Sequence, residues 1–334
     1  MGLRCSVVVP VYTGARHLRD CLQALDWQSA PRDSYEVIVV EDGSTDDSRQ
    51  LKLWPEVRWL QQAHQGPAAA RNLGVAAARG ELVLFTDADC EPAPDWVASM
   101  MAPFGDPRVS GVKGVYGSRQ RSLVARFTQL EYEDKYRGMV DRETIDFVDT
   151  YSAGYRRHIL QAAGGFDTRF PTASVEDQEL SFRLAKAGHR LVFQPEAVVY
   201  HQHPPNLWAY ARRKFRIGYW KVLVHRRHPD KLVQDSHTPQ VLKLQMLLMA
   251  LLLPAIVVGL IQPGLWWVPA AVALLLGASM VPFCWRVWQS DRAVVLVAPL
   301  LLTVRALALG LGFEAGLVRQ YVCRKEWGGG CKKA

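Results

Sequence analysis

Two aspartates one residue apart, Asp87 and Asp89, follow the apolar run Leu82 to Phe85. In an extended chain, side chains two apart point the same way. Both carboxylates are therefore expected to address one hard cation, with diphosphate oxygens and water completing its shell. Aspartates with no Cys/His pair nearby suit Mg²⁺ or Mn²⁺ rather than zinc. Taken alone, the D-x-D is equally a solvated turn, because Asp, Ala and Pro are common loop residues. Glu91 and Asp95, set among Pro92 and Pro94, read as turn and helix-start residues.

Three further clusters offer chemistry. Asp42 stands in E-D-G-S-T after a second apolar run; Asp42-Gly43 is a good turn pair, and the carboxylate is also placed to accept bonds from a nucleoside base or ribose. Arg71 and Asn72 lie in GPAAARNLG, where the arginine is either an ordinary surface residue or a planar fork for phosphate or carboxylate. Glu176 and Asp177 open a helical pattern to Lys186, and Ser174 with Asp177 fits a capping box. A carboxylate there is expected to stay ionised, because the helix dipole favours its charge. It is then suited to act as general base toward a sugar hydroxyl. His201 and His203 flank a later position beside Pro204-Pro205.

These residues need a scaffold. SVVVPV (6–11), EVIVV (36–40), VRWLQ (57–61) and ELVLFT (81–86) read as strands, the first, second and fourth as buried ones. Leu18, Cys21, Leu22 and Leu25 recur at helical spacing. Residues 46–53 suggest a short helix; another runs from Pro67, a tolerated first-turn proline, to Arg79 before Gly80. This alternation predicts the α/β class: an open, mostly parallel, Rossmann-like sheet with helices on both faces. Ligands bind beyond the carboxyl ends of such strands, where Asp42, Asp87 and Asp89 fall.

The chain of 334 residues carries a formal net charge of +8. Residues 206–243 hold nine Lys/Arg against two acids, Asp230 and Asp235. Residues 244–261 and 264–285 carry no charge, each run about as long as the roughly 20 residues a spanning helix needs. Only Gln262 and Pro263 separate them, so 244–285 reads as a transmembrane hairpin, with Trp266, Trp267 and Trp285 near its ends. A nucleic-acid partner is disfavoured, because apolar runs follow the basic segment directly. Residues 293–318 form a third apolar segment, interrupted by Arg305 and Glu314, that is a span, a re-entrant stretch or an interfacial helix. The basic tail, 319–334, prefers the cytoplasmic side, which favours a non-crossing segment. No signal peptide is expected, and the six cysteines show no C-x-x-C spacing and read as reduced, mostly structural thiols.

Taken in order, V-V-V-P-V-Y, V-V-E-D-G-S-T-D, G-x4-R-N-x-G, F-T-D-A-D and G-G-F-D…E-D-x-E-L-x-x-R-L resemble the motifs of a family 2 glycosyltransferase of the GT-A fold over about residues 5–220. The resemblance implies inverting transfer of a sugar from a nucleotide-diphosphate sugar, with Mg²⁺ or Mn²⁺ as cofactor. It implies Pro10, Tyr12 and Asp42 on the nucleoside, Arg71 and Asp87 near the nucleotide, and Asp89, Asp87 and His201 at the metal. Asp177 would be the catalytic base and Glu176 its support. His203 is as well placed by sequence as His201. Two departures stand out: Thr13-Gly14 replace the Asn-Glu common in relatives, and ARRKFRIGYW (211–220) lacks the Q-x-x-R-W of polymer-forming relatives.

The expected organisation is a GT-A domain over 1–220, a basic juxtamembrane segment over 221–243, the hairpin, the third segment and the tail. The expected protein is a multi-pass enzyme of the cell membrane, its catalytic domain facing the cytoplasm. Its partners would be the donor, membrane lipids and an envelope glycan or lipid-linked acceptor, with no nucleic acid. A processive polysaccharide synthase and a catalytically silent scaffold are the competing expectations.

Overall fold

The computed structural model describes residues 2–48, 54, 56–170, 172, 174–233 and 235–322. They form two compact units. The first holds residues 1–120, 131–203 and 235–237, the second 121–130, 204–234 and 238–334.

The first unit is built on an eight-stranded sheet. Its strands are β1 (Cys5–Val11), β2 (Tyr35–Asp42), β3 (Val57–Gln62), β4 (Leu82–Phe85), β5 (Cys90–Pro92), β6 (Val109–Gly117), β7 (Ala153–Arg156) and β8 (Arg190–His201). The spatial order is β3-β2-β1-β4-β7-β6-β8-β5. The first four strands are mutually parallel, as the continuous apolar runs of β1, β2 and β4 predict. Beyond them the sheet is mixed: β7 runs antiparallel to β4 and β6, and β5 antiparallel to β8. Nothing in the apolar runs of the early strands encodes that reversal.

Helices cover both faces, and β1 shows why. Val7 and Val9 join one core with Leu18, Leu22 and Leu25 of α1 (Ala15–Asp26) and Trp96, Val97 and Met100 of α3 (Trp96–Met101). Val8, pointing the other way, joins a second core with Ala68, Ala70 and Val75 of α2 (Pro67–Ala77). That core also takes Ile159 and Leu160 of α5 (Arg157–Ala162) and Leu180 and Leu184 of α6 (Glu176–Lys186). Alternate side chains of one strand thus feed two layers. Between α3 and α5 runs α4 (Leu123–Val140), whose first turns belong to the second unit. Of the helix expected at 46–53, residues 49–53 lie outside the described residues.

The second unit contains α7 (Leu207–Arg227), α8 (Gln240–Ile261), α9 (Trp267–Ser290), the short α10 (Arg292–Val295) and α11 (Ala298–Val322). Helices α8, α9 and α11 are long and apolar enough to cross a membrane. Their packed core includes Leu248, Leu276, Met280, Phe283, Leu301 and Leu302. Asp291 caps α10 through the backbone N–H groups of Ala293 and Val294 and takes two bonds from the Arg126 guanidinium. Of the expected basic tail, Arg319 is described, whereas Arg324, Lys325, Lys332 and Lys333 lie outside the described residues.

Helix α2 lies so close to the sheet that a Cβ at Gly74 would strike the Val8 side chain. Gly74→Leu is expected to lose roughly 1–3 kcal/mol by overpacking, read as a lowered denaturant midpoint in detergent-solubilised protein.

Candidate active site

The parallel register aligns the carboxyl ends of β1, β2 and β4, pairing Pro10 with Val40 and Val8 with Phe85. Tyr12, Asp42 and Asp87 therefore emerge along one edge of the sheet, with Pro10 inside the end of β1. This is the edge that the strand directions predict, but the individual side chains do more specific work.

Asp42 is buried, and its carboxylate is fully engaged. Oδ1 accepts from Gln62 Nε2 at 2.6 Å and the Gln65 N–H at 2.9 Å. Oδ2 accepts from the Gly66 N–H at 2.9 Å and lies 3.0 Å from His64 Nδ1. A carboxylate offers about four lone-pair sites; three accept these N–H groups, and the His64 ring stands against the rest. Asp42 thus orders the 62–66 loop rather than presenting an open acceptor. What this loop exposes is a ring pair: His64 stacks on Tyr12 with centroids 4.0 Å apart, and Tyr12 is 52% exposed. His64 was not singled out by sequence; it lies ahead of the Arg71 motif in A-H-Q-G-P, where nothing marks it as a stacking partner.

Arg71 is 2% exposed. Its Nη1 donates to Glu176 Oε1 at 2.8 Å and its Nη2 to Asp87 Oδ1 at 2.9 Å. Nη1 and Nη2 are thus both engaged by protein carboxylates, one of the two alternatives that the sequence left open for the fork. The two acidic neighbours outweigh the burial that would lower its pKa, so the guanidinium stays charged. Asn72 makes a second tie: its Nδ2 donates to the Phe166 carbonyl and its Oδ1 accepts from the Phe166 N–H, both at 2.8 Å. Gly165, at φ +69°, leaves room for that amide, since a Cβ there would meet Asn72 Oδ1. The R-N and G-G-F motifs, distant in sequence, are one clasp.

Glu176 accepts the Ser174 N–H on Oε2 at 2.8 Å, while Oε1 holds Arg71. The expected capping box is not formed: Val175 occupies the cap position without a side-chain bond, and Ser174 Oγ donates to the Thr172 carbonyl. Asp177, half-buried, accepts the Gln178 N–H at 2.8 Å. Its pKa is pushed up to about 7, first by burial and then by the Glu176 carboxylate, with Arg71 and Lys113 acting in the opposite direction. This corrects the expectation of a fully ionised carboxylate: desolvation outweighs the helix dipole.

Asp87 and Asp89 meet different partners. Residues 88 and 89 form a turn, so the strand alternation stops at Phe85. Asp87 faces Arg71, whereas Asp89 Oδ1 lies 3.5 Å from His201 Nδ1. The β5–β8 pairing places Cys90 opposite His201, with Sγ 3.5 Å from the same ring nitrogen. Among the described residues, Asp89, Cys90 and His201 bring their ligand atoms within 4.8 Å of one another. A Cys/His pair therefore does adjoin the aspartates, against the sequence expectation, and it is made by strands 111 residues apart. Burial pushes the Cys90 thiol well up, so it stands as a neutral neighbour. The carboxylate and imidazole fit an octahedral cation that keeps diphosphate oxygens and water in its other positions.

His201 stacks on Tyr116 at 4.7 Å, which fixes its ring. His203 is buried, stacks on Tyr132 and is held through its backbone by Gln120. The histidine that meets Asp89 is thus His201. Lys113 also escaped the sequence reading. It is fully buried, ion-paired with Asp149 and ringed by Tyr136, Phe147 and Tyr151, and burial pushes its ammonium down to about 7.

An α/β sheet of this order with acidic groups at its carboxyl edge defines a GT-A fold. The solved structure of the mannosyltransferase PcManGT from Pyrobaculum calidifontis, in complex with GDP-Man and Mn²⁺, superposes with a TM-score of 0.62 at 21% identity, covering 98% of this chain and 89% of that one. Residues 6–164 match the profile of glycosyl transferase family 2, and this domain belongs to that family. A pre-mycofactocin glycosyltransferase of Mycobacterium tuberculosis is 31% identical over 236 residues, 68% of this chain and 48% of the relative. Glycosyltransferase AglE of Haloferax volcanii is 26% identical over 228 residues, 66% of this chain and 73% of the relative. The chain spans about half the length of the first of these relatives.

Replacing Arg71 by Ala would strand two carboxylates, one of them buried. The expected loss is about 3–5 kcal/mol of stability, measured by chemical denaturation; a change below about 1 kcal/mol would contradict the clasp's role.

Proposed function

We propose that the chain is a membrane-anchored, inverting, metal-dependent glycosyltransferase. It moves one or a few sugars from a nucleotide-diphosphate sugar to an envelope glycan or lipid-linked acceptor. The observation that carries the reading is the Arg71 bridge, which sets Asp177 at the head of α6 against the strand end that bears Asp87 and Asp89.

The nucleoside lies at the edge formed by Pro10, Tyr12 and the loop ordered by Asp42, with the exposed Tyr12–His64 rings offering a flat face to the base. Asp89 and His201 would hold the divalent ion, and Asp87 contributes through its place on Arg71. When bound, the ion neutralises charge developing on the leaving diphosphate. An imidazole ligand suits Mn²⁺ better than Mg²⁺, in keeping with the Mn²⁺ of the PcManGT complex. Asp177 accepts the proton of the acceptor hydroxyl while that oxygen bonds to the anomeric carbon, on the face opposite the departing diphosphate. The bond to the diphosphate breaks with its electron pair going to the leaving oxygen. Glu176 contributes by keeping Arg71 in place and by raising the proton affinity of Asp177. The membrane reading is supported by α8, α9 and α11, each long and apolar enough to cross a bilayer. The basic 206–243 segment points the catalytic domain to the cytoplasm.

A screen of nucleotide-sugars for Mn²⁺-dependent thermal stabilisation tests donor binding. Product length on a defined acceptor tests the non-processive reading, which long polymer would overturn. Asp177→Asn should lower the turnover number by about 10²–10⁴-fold with donor binding retained, and Asp89→Ala should remove the metal-dependent part of donor binding. Because the base works only when deprotonated, a group with a pKa of about 7 gives turnover that falls about tenfold per pH unit on the acid side. Turnover should be flat above it. A flat profile from pH 5.5 to 8.5 (roughly a unit and a half either side of that pKa) would remove Asp177 from the role of base.

A further inference from the structure

The three long apolar helices of the second unit are not equivalent. The exposed middles of α8 and α9 are uncharged, as at Leu247, Leu251, Leu274 and Val281. The exposed face of α11 instead carries Glu314 among Leu307, Leu311, Leu317 and Val318. A carboxylate turned to lipid in mid-span costs several kcal/mol, roughly 2.5–3.5 even on the mildest scale.

The opposite side of α11 is fastened to α7 by backbone contact. A Cβ at Gly312 would strike the Phe215 carbonyl, one at Gly316 the Tyr219 carbonyl, and one at Gly218 the Leu309 carbonyl. Such close approach, through glycines on both partners, allows little sliding. Near its far end, Arg319 donates to the Tyr219 hydroxyl. Yet α7 carries Arg212, Arg213, Lys214, Arg216, Lys221, Arg226 and Arg227, spread around its circumference. No rotation of α7 turns all of these away from lipid, so it cannot lie in hydrocarbon. The stretch of α11 fastened along it, from Leu309 to Arg319, shares its depth, while the earlier turns with Leu301, Leu302 and Arg305 meet α8 and α9.

We propose that α8 and α9 alone cross the bilayer, and that α7 and α11 form a fixed pair lying in the membrane surface. The pair presents Trp208, Arg212, Phe215 and Arg216 to anionic lipid headgroups. These four positions, at i, i+4, i+7 and i+8, share one exposed face of α7, with Trp208 76% exposed. Arginines beside exposed aromatic rings match the anionic outer layer and the apolar boundary beneath it. This rests on the membrane-anchored reading above. Length and composition alone make α11 a candidate span; its partner helix and Glu314 exclude it.

The test uses the full chain in native membrane vesicles, with Cys284, Cys323 and Cys331 replaced by Ser and the buried Cys5, Cys21 and Cys90 kept as an unlabelled background that the parent chain checks. One further cysteine is placed by Glu314→Cys, by Asp230→Cys on the α7–α8 connection, or by Leu274→Cys in mid-α9. A membrane-impermeant maleimide should label Glu314→Cys from the same side as Asp230→Cys and at least about tenfold faster than Leu274→Cys, as expected for a water-accessible rather than lipid-buried site. Labelling as slow as Leu274→Cys, or from the opposite side, would overturn the proposal. Loss of the chain on alkaline extraction would instead overturn the anchoring itself, which separates the two failures. For the headgroup face, an environment-sensitive dye on Trp208→Cys should shift its emission to the blue in phosphatidylglycerol-containing bilayers relative to phosphatidylcholine alone. Arg212→Glu with Arg216→Glu should abolish that difference. Identical emission in both lipids would overturn the assignment of anionic headgroups as partner.

Discussion

One buried cation holds the sheet-bearing unit of this protein in register. Arg71, on a helix of the first parallel layer, reaches the end of β4 through Asp87 and the head of α6 through Glu176. Removing a guanidinium from water is costly unless its charge is compensated, and here two carboxylates take Nη1 and Nη2 while the buried Nε has no hydrogen-bond partner among the described residues. Because those carboxylates adjoin Asp89 and Asp177, the candidate cation-binding and proton-accepting groups are fixed to each other through one side chain. The Asn72–Phe166 clasp one residue later holds the same joint from the backbone side.

That joint also explains the chemistry assigned to Asp177. Arg71 gives its two forks to Asp87 and Glu176 and none to Asp177. Asp177 therefore keeps the cost of burial and feels the Glu176 charge. Neighbouring carboxylates on one helix turn thus part company: one is structural, the other has its proton affinity raised into the range where a base works well at neutral pH.

Much of this was legible in the sequence for identifiable reasons. Continuous apolar runs marked β1, β2 and β4 because strands buried on both faces need them, and Pro67 marked the start of α2; the helix ends at Ala77, short of the expected Arg79, and Gly80 serves a close approach to the Cys5 backbone instead. The edge carrying Asp42, Asp87 and Asp89 followed from strand direction. What was hidden depended on partners far along the chain. Strand alternation aims Asp87 and Asp89 alike, whereas the turn at 88–89 gives them different partners, Arg71 and His201. The meeting of Cys90 with His201 is a product of the β5–β8 register, which no local pattern carries. Arg71 read as a fork for either phosphate or carboxylate because the sequence cannot state that both its ends are already occupied. The proton affinity of Asp177 was misjudged for the same reason, since burial is set by the whole fold and the dipole by one helix.

The pairing of Cys90 with His201 has a consequence for how the protein is made. A chain emerging from the ribosome completes β5 early, but its partner residues on β8 arrive only after 111 further positions. Until then Asp89 has no His201 to meet. The first strongly apolar helix, α8, begins shortly after β8 ends. Domains tend to fold as units in the order they are synthesised, so the meeting of Asp89 with His201 comes in the same late stretch of synthesis as the first long apolar helix. A chain halted before that moment would possess the parallel strands and Arg71 but no finished candidate site. The last part of the site would then be assembled at about the point where the first long apolar helix emerges.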